Sequence, residues 1–254
     1  MNLKINSTIV LLMISAAALF GQRGQEDMGK SRQTAEKMSR KVSRTCKLNY
    51  LLLLPEGYKE KKKEQWPLML FLHGMGERGS DLNKVKIHGP PKVAEKMANF
   101  PFILVSPQCP GGEWWDRQSL AALLDEVVKK YRVDTNRVYL TGLSMGGFAS
   151  WDLALTYPER FAAVVPICGG GTPVPIMAFE GKKKAAMKSL PIRVFHGDKD
   201  PAVDVSESER MVAFLKKYGC EDIQLTIYPG VGHDSWTRTY SDPKLYDWFL
   251  SHRR

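Results

Sequence analysis

The stretch RVYLTGLSMGGFASWDLALTYP, residues 137–158, constrains the fold of this chain more than any other. An apolar run from Val138 to Leu140 stops at Thr141 and Gly142. Beyond Ser144, apolar residues recur three and four apart at Phe148, Trp151 and Leu155. Period two giving way to period 3.6 around one serine predicts a strand, a sharp turn and a helix. In so tight a turn the serine backbone is strained, and the positions two before and two after it approach too closely for side chains. Gly142 and Gly146 occupy those positions. The geometry lifts a hydroxyl above the sheet edge and points the first amides of the helix at whatever binds there, which favours a developing negative charge. The five-residue pattern G-x-S-x-G is too short to decide alone; the strand before it and the helix after it argue against a plain glycine-rich loop.

Around this stretch, short β-rich runs alternate with helical patterns. Runs at 47–54, 67–72, 102–106, 162–167, 192–195 and 224–228 each end in a turn or a glycine. Between them, 118–131 sets Leu120, Leu123, Leu124, Val127, Val128 and Tyr131 on one face against Asp125, Glu126, Lys129 and Lys130 on the other, an amphipathic helix. Ser206 with Glu209 predicts a capping box for a helix that Gly219 ends. Asp242 and Pro243 open a final helix, with Arg253 and Arg254 at its negative end. The alternation implies an α/β domain with a mostly parallel sheet, helices on both faces, and ligands bound beyond the carboxyl ends of the strands.

Length and charge bound the rest. The 254 residues, 43% of them apolar, suffice for one sizeable domain. Residues 1–21 have a polar head with Lys4, an apolar run from Ile9 to Phe20, and small residues Ala16 to Ala18. This is the pattern of a secretory signal peptide, with an uncleaved anchor as the alternative. Residues 22–45 read as a polar linker, and 46–254 as the single folded domain expected to carry the function. The formal charge of +10 does not mark a nucleic-acid binder, because half of the surplus lies on residues 1–45, which hold eight Lys and Arg against three Asp and Glu. KEKKKE at 59–64 fits an exposed turn. Four cysteines, Cys46, Cys109, Cys168 and Cys220, match no zinc spacing and suit free thiols at least as well as bridges. The expected location is secreted or periplasmic, with no stable membrane association once the leader is removed.

A serine needs a base to take its proton and an acid to orient that base. Of five histidines, His252 lies in a basic tail, His88 at the start of a Pro-rich loop, and His73 and His196 before glycines at strand ends, where structural roles are common. His233, in GVGHDSW after the last strand, is the natural base. FHGDKDP offers Asp198 and Asp200 as acids. In chain order, FLHGMGERGSD, SPQCPGG, VYLTGLSMGG, PICGGG, VFHGDKDPAV and GVGHDSW resemble the α/β-hydrolase superfamily from about Leu48 onward. Within it they resemble the serine esterases grouped as phospholipase/carboxylesterase, predicted peptidase or dienelactone hydrolase-like.

The resemblance implies the α/β-hydrolase fold and serine hydrolysis, with Asp200 as the acid. It also implies oxyanion donors at Met75, with Gly76 as a neighbour able to share the role, and at Met145. No metal or organic cofactor is implied. Trp114, Trp115 and Trp236 flank loops expected to rim the pocket, and so are candidates for stacking on a sugar or phenolic ring. Glu77, Arg78 and Asp81 are expected to fix their loop by ion pairs. Residues 172–190, where relatives insert a lid, are short, which predicts no large lid domain and an open cleft for small or polymer-linked esters. The triad leaves a peptidase or acyltransferase open, and a non-catalytic hydrolase fold used for binding is a third alternative.

Overall fold

The computed structural model describes residues 36–97 and 99–254. The leader expected at 1–21 and most of the linker lie outside them. Residues 36–44 take no helix or strand, and the compact unit runs from Thr45 to Arg254.

Its centre is a seven-stranded sheet: β1 (Asn49–Leu53), β2 (Trp66–Leu72), β3 (Ile103–Gln108), β4 (Val133–Leu143), β5 (Ala163–Ile167), β6 (Ile192–Gly197) and β7 (Ile223–Tyr228). The strand order is β1-β3-β2-β4-β5-β6-β7. Only the β1–β3 pair is antiparallel. The helices are α1 (Gly89–Ala94), α2 (Arg117–Lys130), α3 (Met145–Thr156), α4 (Gly181–Ser189), α5 (Ser206–Tyr218), α6 (Ser235–Ser241) and α7 (Pro243–Leu250).

Alternation along the strands divides the core in two. Leu68, Leu70, Val105, Leu140, Val164 and Val194 pack beneath α2, α3 and α5. Met69, Phe71, Phe102, Tyr139, Val165 and Ile167 pack on the other face beneath Tyr240, Tyr246 and Phe249 of α6 and α7. With both faces covered, the interior strand β2 is buried at all seven positions, as expected of parallel strands that read as continuous apolar runs.

Several local expectations are corrected. The capping box at α5 does not form: Asp204 Oδ1 accepts from Ser206 N at 2.8 Å instead, and no side chain caps from Val205. An Asx-type bond two residues back reaches the same amide with a shorter side chain. Gly219 does end α5, at φ 96°. Strand β4 begins five residues before its apolar run, because Asp134 Oδ2 binds Arg137 at 2.8 Å and Arg253 at 3.1 Å while its Oδ1 takes Asn136 N. Arg253 therefore serves β4 rather than the end of α7. Helix α3 is buried on most of its circumference and not on one stripe.

Candidate active site

The elbow is built as its residues dictate. Ser144 has φ 52° and ψ −118°, between the end of β4 and the start of α3. A Cβ on Gly146 would lie 1.9 Å from Leu72 O, and one on Gly142 would lie 2.3 Å from Gly146 O. Only hydrogen fits at either position. Ser144 N donates to Ile167 O at 2.9 Å, tying the turn to β5.

Three side chains from three strand ends meet here. His233 Nε2 is 2.9 Å from Ser144 Oγ, and His233 Nδ1 is 2.7 Å from Asp200 Oδ2. Asp200 Oδ1 accepts from the amides of Ala202 at 2.8 Å and Val203 at 2.9 Å. Burial would raise the Asp200 carboxyl, but the bonds from His233, Val203 and Ala202 outweigh it and hold the group below the usual carboxylate range. An ionised acid then fixes the ring with its hydrogen on Nδ1, leaving Nε2 free to accept from the serine hydroxyl. Asp198, the rival acid, instead accepts from Gly230 N at 2.6 Å and steadies the turn after β7.

Met145 is the first residue of α3, where a helix amide has no intrahelical acceptor. Met75 opens a 3-10 turn, Met75–Glu77, after β2. That loop is fixed mainly by bonds to backbone carbonyls and not by the expected ion pairs. Arg78 Nε donates to Met75 O at 3.1 Å and Arg78 Nη1 to Glu113 O at 2.9 Å, while Gln108 Nε2 reaches Glu77 O and Asp81 O, both at 2.8 Å. Asp81 caps the next turn through Asn83 N. The Glu77 side chain is turned inward, its oxygens 3.9 Å from His73 Nδ1 and His88 Nε2. His73 Nε2 accepts from Cys109 N at 3.0 Å, and burial pushes its pKa down to about 4, so the ring is neutral.

The three tryptophans separate. Trp115 is buried, stacks obliquely on His73 at 4.8 Å and donates to His73 O at 3.1 Å; it backs the loop after β2 and also lines the groove beside α3. Trp236 stands edge-on to His233 at 5.1 Å and to His88 at 5.5 Å, bracing the His233 ring. Trp114 is 52% exposed and meets Phe148 at 6.1 Å. These two rings line a groove of about 360 Å³ that also takes in Arg117, Asp152, Gly171 and Thr172. Arg117 Nη1 bridges Asp152 Oδ1 at 2.8 Å and Thr156 Oγ1 at 3.1 Å. Residues 172–190 form a 3-10 turn and α4 and supply no large lid.

Cys168, Asp200 and His233 are the one grouping of metal-ligand atoms among the described residues, lying within 4.8 Å of one another. Asp200 and His233 are already bonded to each other, and burial pushes the Cys168 thiol up to about 12. A protonated thiol beside a committed pair makes a poor metal centre. Sequence reasoning passed over Cys168, and it left His196, whose ring contacts Asp200 at 3.2 Å, among the structural histidines. The signal for His196 was its place four residues before the acid, across a turn.

The family model of phospholipase/carboxylesterase matches residues 116–244, half of the chain. The chain belongs to this family. Among curated relatives, this phospholipase/carboxylesterase family member is 31% identical over 160 residues to a bifunctional acetylxylan esterase/xylanase of Neocallimastix patriciarum, covering 60% of this chain and 21% of that protein. It is 27% identical over 178 residues to a probable feruloyl esterase C of Aspergillus terreus, covering 68% and 62%. The chain thus spans about a fifth of the first relative and somewhat under two thirds of the second. A solved thermostable esterase superposes with a TM-score of 0.66 at 29% identity, over 82% of this chain and 60% of that one. The α/β-hydrolase fold follows from the sheet and from this superposition alike.

Proposed function

We propose that the chain is a carboxylic ester hydrolase working through Ser144, His233 and Asp200 by way of an acyl-enzyme. The observation that carries this is the unbroken hydrogen-bonded chain from Asp200 through His233 to Ser144, on a strained elbow beside the helix amides. Ser144 Oγ attacks the ester carbonyl as its proton passes to His233 Nε2. The Met145 and Met75 amides take the oxyanion, and each such donor lowers the barrier by about 3 kcal/mol. The tetrahedral carbon then expels the alcohol, which receives the proton from Nε2. Water repeats the sequence: His233 removes one proton, hydroxide adds to the acyl carbon, and Ser144 leaves with its proton restored. No residue of this sequence of steps requires a cofactor.

The substrates are small or polymer-linked esters, with a sugar or phenolic ring on the alcohol or acyl side. In support, Phe148, one helical turn along from Ser144, and Trp114 packed against it present aromatic surface, and the Arg117–Asp152 pair in the same groove offers both donors and acceptors to hydroxyl groups. Names among the relatives, acetylxylan esterase and feruloyl esterase, point the same way. The leader pattern at 1–21 supports action outside the cytoplasm, in the periplasm or secreted.

Intact-mass spectrometry with a fluorophosphonate probe tests the chemistry. One adduct on wild type and none on Ser144→Ala is the expected result. A folded wild type that takes no adduct and hydrolyses no ester in a panel would overturn the hydrolase reading in favour of a binding role.

A further inference from the structure

His196 is as fully enclosed as any polar residue of the domain, and every hydrogen-bonding atom of its ring is engaged. Nε2 lies 2.9 Å from Val203 O and 3.2 Å from Asp200 Oδ2, two oxygens that carry no hydrogen when the acid is ionised. The hydrogen therefore sits on Nε2 and is shared between Val203 O, the nearer acceptor, and the Asp200 oxygen that His233 also uses. Nδ1 then accepts the Ser208 hydroxyl at 2.8 Å, and with that one hydrogen committed Ser208 Oγ meets Gly169 O, 3.1 Å away, as a packing contact. The backbone at Gly169 presses on the first turn of α3: a Cβ there would sit 2.6 Å from Gly147 C and 2.7 Å from Phe148 N.

We propose that His196 is a positioning residue for the acid: it holds Asp200 in register with the helix that carries Ser144, and it shares the charge of the oxygen that faces His233. The proposal rests on the hydrolase reading above. Two functions follow from the one ring. By its bond to Ser208, which packs on Gly169, it seats the β6–α5 loop against the nucleophile's own helix, so the two ends of the relay are held together. Through Nε2 it draws charge from Asp200 Oδ2, which tempers the pull of the acid on the His233 imidazolium. The other groups facing this pair are the Cys168 thiol from the end of β5, Asp204 before α5, and Asp234 capping α6, while Asp198 of the same loop is turned to Gly230 N. Behind Trp236 stand His88 and Glu77.

The test compares His196→Gln, His196→Asn, His196→Leu and Ser208→Ala in the full chain. Glutamine places an N–H donor near the position of Nε2, whereas asparagine reaches only to that of Nδ1. Expected for His196→Gln are a kcat within about threefold of wild type and an unmoved acid limb of kcat/KM. Expected for the Asn and Leu variants are an unchanged KM, a kcat down by about tenfold to a hundredfold, and an acid limb raised by about half to one pH unit, as for loss of one bond to a charged group. Ser208→Ala, which leaves the imidazole in place but frees its far end, shifts the limb in the same direction by less. If the Asn and Leu variants do not fold, the contrast between His196→Gln and Ser208→Ala still decides.

An acid limb unmoved in Ser208→Ala and in every folded variant, with rates that merely follow thermal stability, would overturn the proposal and leave His196 a packing residue. Fluorophosphonate labelling of wild type separates this outcome from failure of the hydrolase reading. Labelled wild type with unshifted variants sinks only the role of His196, and unlabelled wild type sinks the mechanism beneath it.

Discussion

At Gly146 a single added methyl would meet Leu72 O at 1.9 Å, so the elbow tolerates no side chain where the helix crosses β2. His73 shows a second residue-scale constraint, through protonation. Its pKa is pushed down to about 4 by burial, from about 6.5 in an unfolded chain. The folded ring binds fewer protons than the unfolded one between those values. The contribution of His73 is therefore complete above about pH 6.5 and is lost as pH falls toward 4, amounting to about 3 kcal/mol. Denaturant melts between pH 7 and 4 should show this slope in wild type and a flatter one in His73→Gln, whose amide can still accept from Cys109 N. Asp200, also depressed, adds its own loss only below the usual carboxylate range. The meeting of Ser144 and His233 was legible at this scale because each follows a strand end beside glycine. The tie between His196 and Asp200 was not, because a loop's path across four residues is set by Val203 and Ser208 and not by composition.

Among the elements, strands were easier to place than the turns and short helices between them. Apolar runs flagged all seven strands: the interior ones are covered on both faces, so burial writes itself into the sequence, and the edge strands β1 and β7, though largely unburied, still carry β-rich residues. Helix α1 escaped notice because its six residues begin Gly-Pro-Pro, and α6 because seven residues of mixed polarity carry little periodicity. The C-terminus of α5 was readable because only glycine accepts φ 96° cheaply. Gly219→Ala should cost about 1 to 2 kcal/mol in urea melts, since the neighbouring Lys188 side chain can yield space but the backbone cannot change hand. The groove along α3 makes a different prediction. Trp114→Ala should raise KM for a polysaccharide-linked ester about tenfold while leaving turnover of a small acetate ester within about twofold. Equal loss on both substrates would move Trp114 from recognition to scaffold.

For the whole molecule, stability comes from two apolar layers and not from covalent ties. All four cysteines are free, three of them buried. Burial pushes Cys109 and Cys220 up to about 11, so neither is a ready thiolate. Thermal melts with and without reductant should coincide. A thiol reagent should modify Cys46 rapidly in the native protein and the other three only on unfolding; a reductant-sensitive midpoint would contradict the free-thiol arrangement.

The spacing of the relay has a consequence for biosynthesis. Ser144 and His233 lie 89 positions apart, and the ring that would activate the serine follows β7, the edge strand. Until β7 docks on β6, a nascent or partly folded chain carries a serine with no base beside it. Under the proposed mechanism, reactivity is withheld until the sheet is finished, and a partly folded chain is kept from trapping an acyl group on its own serine.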